Sequence, residues 1–121
     1  MSQKKIGVNG FGRIGRYFTR LAIMDPNTDV TLVNDLSDIQ TLMHLFKYDS
    51  VHGRFDLGFE IKGNQVFFSN GKKLSFSQEK NPEFIPWAQY GTETVVECTG
   101  LFLTKDSASK HLKGGVQKVI L

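Results

Sequence analysis

Apolar runs alternate with amphipathic stretches along this chain. Lys5-Ile6-Gly7-Val8 predicts a short strand, and residues 14–24 predict a helix. On that helix Ile14, Phe18, Leu21 and Ala22 form the apolar face, with Arg13, Arg16 and Arg20 elsewhere. Asp25-Pro26-Asn27 stops it. Val30-Thr31-Leu32-Val33 predicts a second strand, ending at Asn34-Asp35. Ser37 then serves as the N-cap of a second helix over residues 38–46, buried through Leu42, Leu45 and Phe46. Residues 48–55 read as a polar loop. Phe59-Glu60-Ile61-Lys62 and Gln65-Val66-Phe67-Phe68 flank Gly63-Asn64 and predict a hairpin, with a further strand over residues 73–77. Pro82 and Pro86 bracket a turn or short helix, and residues 93–97 predict a buried strand. Thr104 caps a third helix over residues 105–112. Residues 116–121 begin another strand, whose run Val119-Ile120-Leu121 suits burial on both faces.

Strands alternating with helices predict an α/β fold with a parallel sheet and right-handed crossovers. The hairpin region over residues 58–77 is an excursion within that pattern. The expected architecture is a doubly wound parallel sheet, one domain over residues 1–121, incomplete at Leu121 and leaving an unpaired apolar edge.

Composition narrows the class. With 121 residues and 40% hydrophobic content, the chain can bury one modest core. Its net charge is +3, and like charges cluster only in pairs such as Lys4-Lys5 and Lys72-Lys73. That argues against nucleic acid as the partner but tolerates an anionic phosphate ligand. No apolar stretch approaches the roughly 18 residues of a membrane span, and no signal-peptide pattern opens the chain. One cysteine makes no internal disulfide, so the expected location is cytoplasmic.

The candidate chemistry lies in Asn9-Gly10-Phe11-Gly12-Arg13-Ile14-Gly15-Arg16, between the first strand and first helix. Gly10, Gly12 and Gly15 fit G-x-G-x-x-G. The first allows a tight turn, the second admits a pyrophosphate to the backbone, and the third lets the helix lie close on the strand. The helix start then directs its N–H groups at phosphate. Asp35 follows Gly15 by twenty residues and ends the second strand, where a carboxylate accepts hydrogen bonds from an adenosine ribose. Its charge would select NAD over NADP. The alternative is a tight strand-to-helix turn with an exposed acid. Ligands of such sheets sit at the carboxyl ends of the strands, where Asn9-Gly10, Asn34-Asp35, Cys98-Thr99-Gly100 and Leu121 all fall.

Four stretches resemble the phosphorylating glyceraldehyde-3-phosphate dehydrogenase family: residues 5–16, Asn34-Asp35-Leu36, residues 47–55 with Tyr48-Asp49-Ser50 and His52-Gly53-Arg54-Phe55, and Glu97-Cys98-Thr99-Gly100-Leu101-Phe102. The resemblance covers essentially the whole chain. It implies a Rossmann-type NAD-binding domain, in a glycolytic homotetramer. The family forms 1,3-bisphosphoglycerate from glyceraldehyde 3-phosphate: a cysteine thiolate attacks the aldehyde, hydride passes to NAD, and phosphate releases the acyl group. The resemblance assigns the pyrophosphate contact to Arg13 and Ile14 and places Thr99 and Gly100 beside ribose and nicotinamide, with Phe102 packing nearby. Lys80 stands where the family usually carries Arg, beside the adenine, and cannot reproduce a planar guanidinium stack. The family's nucleophile segment, catalytic histidine and substrate domain are not in this sequence. Expected partners are therefore the remainder of the enzyme, its sister subunits and a small substrate bound elsewhere, with no membrane.

Cys98 is rejected as a nucleophile, because it ends a buried strand where the family has a small residue and buried cysteines act as small hydrophobes. Asp49, Ser50 and His52 have triad residue types, but triads are assembled across a fold rather than along one loop. His44 and His111 fall within helices, and no ligand spacing predicts a metal. Phe67-Phe68 and Trp87 read as core or subunit contact rather than a base-stacking platform. No catalytic residue is expected in this chain. Two competing functions stay open: a non-catalytic dinucleotide-binding module, and a nucleic-acid-binding fragment.

Overall fold

The computed structural model describes residues 4–48, 55–99, 111, 116 and 118–120. The first strand, β1 (Lys4–Asn9), leads through the glycine motif into helix α1 (Arg13–Ile23). Strand β2 (Thr28–Asn34) and helix α2 (Ile39–Tyr48) follow. Then come β3 (Phe59–Lys62), β4 (Gln65–Phe68), β5 (Lys73–Ser77), β6 (Thr94–Glu97) and β7 (Lys118–Ile120). Two 3-10 turns, Pro82–Phe84 and Ala88–Tyr90, lie between β5 and β6.

The strands form one sheet in the order β3-β4-β5-β2-β1-β6-β7. Pairs β5–β2, β2–β1, β1–β6 and β6–β7 are parallel, so β1 sits centrally with its crossovers leaving to either side. The hairpin β3–β4 and the pair β4–β5 are antiparallel and extend one edge. This is a Rossmann-type α/β sheet with a hairpin excursion. Burial deepens toward the carboxyl ends of β1 and β2, where Val8, Asn9, Val33 and Asn34 are all buried.

Helix α1 packs through a face one step round from the expected one. Gly15, Thr19, Ala22 and Ile23 are buried, whereas Ile14 is 74% and Leu21 55% exposed. The glycine sets this rotation. A Cβ on Gly15 would lie 2.1 Å from the Gly10 carbonyl oxygen, so only glycine can sit at the closest approach, and the stripe through it faces the sheet. Thr19 Oγ1 satisfies its buried polarity by donating to the Gly15 carbonyl at 2.8 Å. The expected face lies beside this one, and Ile14, Tyr17, Leu21 and Met24 are exposed.

Helix α2 is capped by Asp38 rather than Ser37. Asp38 Oδ1 accepts the Thr41 N–H at 2.9 Å and Oδ2 accepts the Thr41 hydroxyl. The Ser37 N–H instead donates to Asp35 Oδ1 at 3.0 Å. With the start so fixed, Leu42, Met43 and Phe46 face inward and Leu45 is 41% exposed, so Met43 takes the place expected of Leu45. Arg20 donates to the Phe46 carbonyl and thereby ties α1 to the carboxyl end of α2.

One core lies under these helices. Phe11, inside the glycine motif, stacks on Phe46 at 5.7 Å and meets Phe76 edge-on at 5.6 Å, with Phe55 and Phe68 beyond. A second cluster joins Leu32, Ile85, Trp87, Val95 and Val116. Phe68 and Trp87 are thus core residues, while Phe67 is exposed. In β7, Lys118 and Ile120 are exposed, so its apolar run is not buried on both faces among the described residues. The cause is position: β7 is outermost and pairs with β6 alone in that set. The expected third helix, and Asp49, Ser50 and His52, fall outside the described residues, His111 excepted.

Candidate functional site

A cleft of about 370 Å³ opens at the carboxyl ends of β1, β2 and β6. The Gly10 backbone, at φ +96°, makes the turn that leads chain away from the sheet. Its N–H donates to the Asn34 carbonyl at 2.8 Å, and a Cβ there would lie 2.8 Å from the Thr99 nitrogen. Next comes Phe11, whose ring anchors the turn in the core and whose N–H donates to Asp35 Oδ2 at 2.8 Å. Asp35 therefore holds the glycine turn with one oxygen and the Ser37 backbone with the other.

Gly12 differs from its two neighbours in the motif. Among the described residues, a Cβ on it would meet nothing within 4 Å, and its φ of −75° suits any residue. It is the N-cap of α1 and carries no side chain to cap the helix, whose first turn also lacks an acid. The positive end of α1 thus faces the cleft over open space, the arrangement that accepts an anionic group.

The structure brings Asn9, Gly10, Gly12, Asn34, Asp35, Lys80 and Thr99 together as cleft lining. Arg13 and Ile14 stand on the exposed first turn of α1, beside the cleft rather than in its lining. Gly100 and Phe102 lie outside the described residues. Leu36 and Glu79 also line the cleft, although sequence reasoning did not single them out. Leu36 entered the sequence reading only as the third residue of Asn34-Asp35-Leu36, and its exposure beside the cleft is seen only in the structure. Glu79 is tied to Asn34 through its backbone N–H and carbonyl, and nothing in its residue type marks it.

Behind the cleft lies a buried polar network that sequence reasoning also missed. The Glu97 carboxylate accepts from Asn9 Nδ2 at 2.9 Å, from the Thr99 N–H at 3.1 Å and from the Thr99 hydroxyl at 2.6 Å. His111 Nε2 stands 2.6 Å from the same carboxylate, with both side chains fully buried. Burial raises the Glu97 pKa, but hydrogen bonds from His111, Thr99 and Asn9 outweigh it and hold the carboxyl below its ordinary range. Cys98 also lines the cleft, half-buried. Burial, helped by the Glu97 charge, pushes its thiol up to about 11. A thiol so shifted supplies little thiolate at neutral pH. Among the described residues no group of three His, Cys, Asp or Glu side chains is placed to hold a metal. No described helix is long and apolar enough to cross a membrane.

The sheet order, the glycine turn at the end of the central strand and the acid ending its neighbour define a dinucleotide-binding α/β domain. The family model for the NAD binding domain of glyceraldehyde 3-phosphate dehydrogenase matches residues 4–105, and this chain belongs to that family. It is 48% identical over 117 residues to glyceraldehyde-3-phosphate dehydrogenase of Geobacillus stearothermophilus, covering 97% of this chain and 35% of the relative. Glyceraldehyde-3-phosphate dehydrogenase 1 of Bacillus subtilis (strain 168) is 46% identical over 117 residues, and the Lentinula edodes enzyme 48% over 118, with the same coverage. The chain thus spans about a third of the length of these curated relatives, 35% in each case.

Proposed function

We propose that the cleft holds NAD with its pyrophosphate over Gly12 and the first turn of α1, at Arg13 and Ile14, and its adenosine ribose on Asp35. Asn9, Gly10 and Asn34 form the base, while Lys80 and Thr99 flank the nucleotide, with Gly100 and Phe102 completing the set. The observation that carries this reading is the contrast within the glycine motif. Packing requires glycine at positions 10 and 15, but no atom of the described residues requires it at 12, where the helix start carries no side-chain cap. NAD, when bound, supplies hydride acceptance, and this chain's residues bind and orient it.

The whole protein then acts as a phosphorylating glyceraldehyde-3-phosphate dehydrogenase of glycolysis in the cytoplasm, with sister subunits in a homotetramer. The aldehyde is bound outside residues 1–121, and this chain alone is inactive. Asp35 sets cofactor choice, because a 2′-phosphate would face its carboxylate. Asp35→Ala is expected to weaken NAD binding by about 1–3 kcal/mol, the range for hydrogen bonds to a charged group, and NADP binding by less. Calorimetric titration of both cofactors checks this; equal losses would remove Asp35 from the ribose.

A further inference from the structure

Six hydrogen-bonding side chains run behind the cleft across the strand ends, and their hydrogen bonds converge on one of them. At one end, Asn34 pairs with the Glu79 backbone. Its Nδ2 donates to the Glu79 carbonyl and its Oδ1 accepts the Glu79 N–H, both at 2.9 Å. A carbonyl cannot donate and a peptide N–H cannot accept, so this amide faces one way only. Asn34 Nδ2 also donates to Asn9 Oδ1 at 3.0 Å, which turns Asn9 Nδ2 toward Glu97 Oε1 at 2.9 Å. At the other end, the indole N–H of Trp87 donates to His111 Nδ1 at 3.1 Å. Indole only donates, so Nδ1 carries a lone pair and the ring proton sits on Nε2, facing Glu97 Oε1 at 2.6 Å. Glu97 Oε2 meanwhile takes the N–H and hydroxyl of Thr99. Donors thus reach Glu97 from both directions, and a side chain with two acceptor oxygens and no proton answers that demand.

We propose that Glu97 is the positioning residue of the dinucleotide cleft: a buried, ionised carboxylate that holds the Thr99 wall and the Asn9 base, with His111 as its neutral donor rather than its counter-ion. This role rests on the cleft binding NAD, as read above. Substitution by Gln sharpens it. The Gln amide cannot turn its NH2 toward Asn9 and His111, whose protons are fixed by Glu79 and Trp87. It must face Thr99, where it opposes the Thr99 N–H. The damage falls on the cleft wall and spares the Trp87–His111 pair.

The test uses the natural full-length protein, with NAD affinity from calorimetric titration. Near-ultraviolet circular dichroism reports Trp87, isolated by difference against Trp87→Phe. Glu97→Gln is expected to lose about tenfold or more in NAD affinity, as for a lost hydrogen bond to a charged group, with the Trp87 band unchanged. His111→Gln, which keeps a neutral donor for Glu97, is expected to stay within about threefold of wild type. Unchanged affinity in Glu97→Gln, or loss of its Trp87 band in a folded protein, would overturn the proposal. So would a tenfold loss in His111→Gln, and that variant decides alone where Glu97→Gln does not fold. A wild-type protein that binds no NAD would overturn the cofactor reading and this role together, whereas NAD-binding wild type with an unaffected Glu97→Gln overturns this role only.

Discussion

At the scale of single residues, the three motif glycines answer to different constraints. Gly15 is held by packing, with the Gly10 carbonyl 2.1 Å from where a Cβ would stand. Gly15→Ala must push α1 off the sheet, and it is expected to lower stability by at least about 1–3 kcal/mol, the usual range for overpacking. Urea unfolding measures this, and an unchanged midpoint would contradict the packing role. The roles of Gly10 and Gly15 were legible in the sequence because spacing encodes the turn and the close approach. Asp38 and Ser37 were not separable there, since both are good caps and only the fold shows that the Thr41 N–H reaches Asp38 Oδ1. The Glu97–His111 pair was still less legible. Fourteen residues separate the two, and only the fold brings them to 2.6 Å.

At the scale of elements, strand positions were read closely and helix faces less well. The hairpin and β5 fall where alternation and Gly63-Asn64 placed them, because a period of two and a turn leave little freedom. Helix rotation depends on a neighbour the sequence does not show: for α1 it is the Gly10 carbonyl, and so Ile14 and Leu21 turned outward. The carboxyl end of β6 carries a buried acid-sensitive contact. Glu97 has its pKa lowered in the folded state, so its stabilising contribution is present above the ordinary value of 4.5 and is lost as pH falls through the lowered one. Asp25 and Asp38 are lowered in the same direction, by hydrogen bonds from Asn27 and Thr28 and from Thr41 respectively. Stability is therefore expected to hold from neutral pH to about 5 and to fall below about 4.5, with a shallower fall in Glu97→Gln. Thermal melts across that range check the sign, and a rise in stability on acidification would contradict it.

At the scale of the whole molecule, binding and chemistry part company. The cleft gathers a glycine turn, a helix start and the acid that follows β2, yet its one thiol, Cys98, is pushed up to about 11. Residues 1–121 alone are expected not to reduce NAD in the presence of glyceraldehyde 3-phosphate and phosphate. Turnover that vanished in Cys98→Ser would reverse that expectation. The binding claim is tested most directly at Gly12. A serine there meets no atom of the described residues through its Cβ, and its hydroxyl can cap α1, so folding should be unharmed or a few tenths of a kcal/mol better. The same hydroxyl would occupy the helix start and the space assigned to pyrophosphate. Calorimetric titration of Gly12→Ser with NAD is expected to show affinity reduced by about tenfold or more at undiminished thermal stability; NAD affinity equal to wild type in that folded variant would contradict a pyrophosphate site over Gly12.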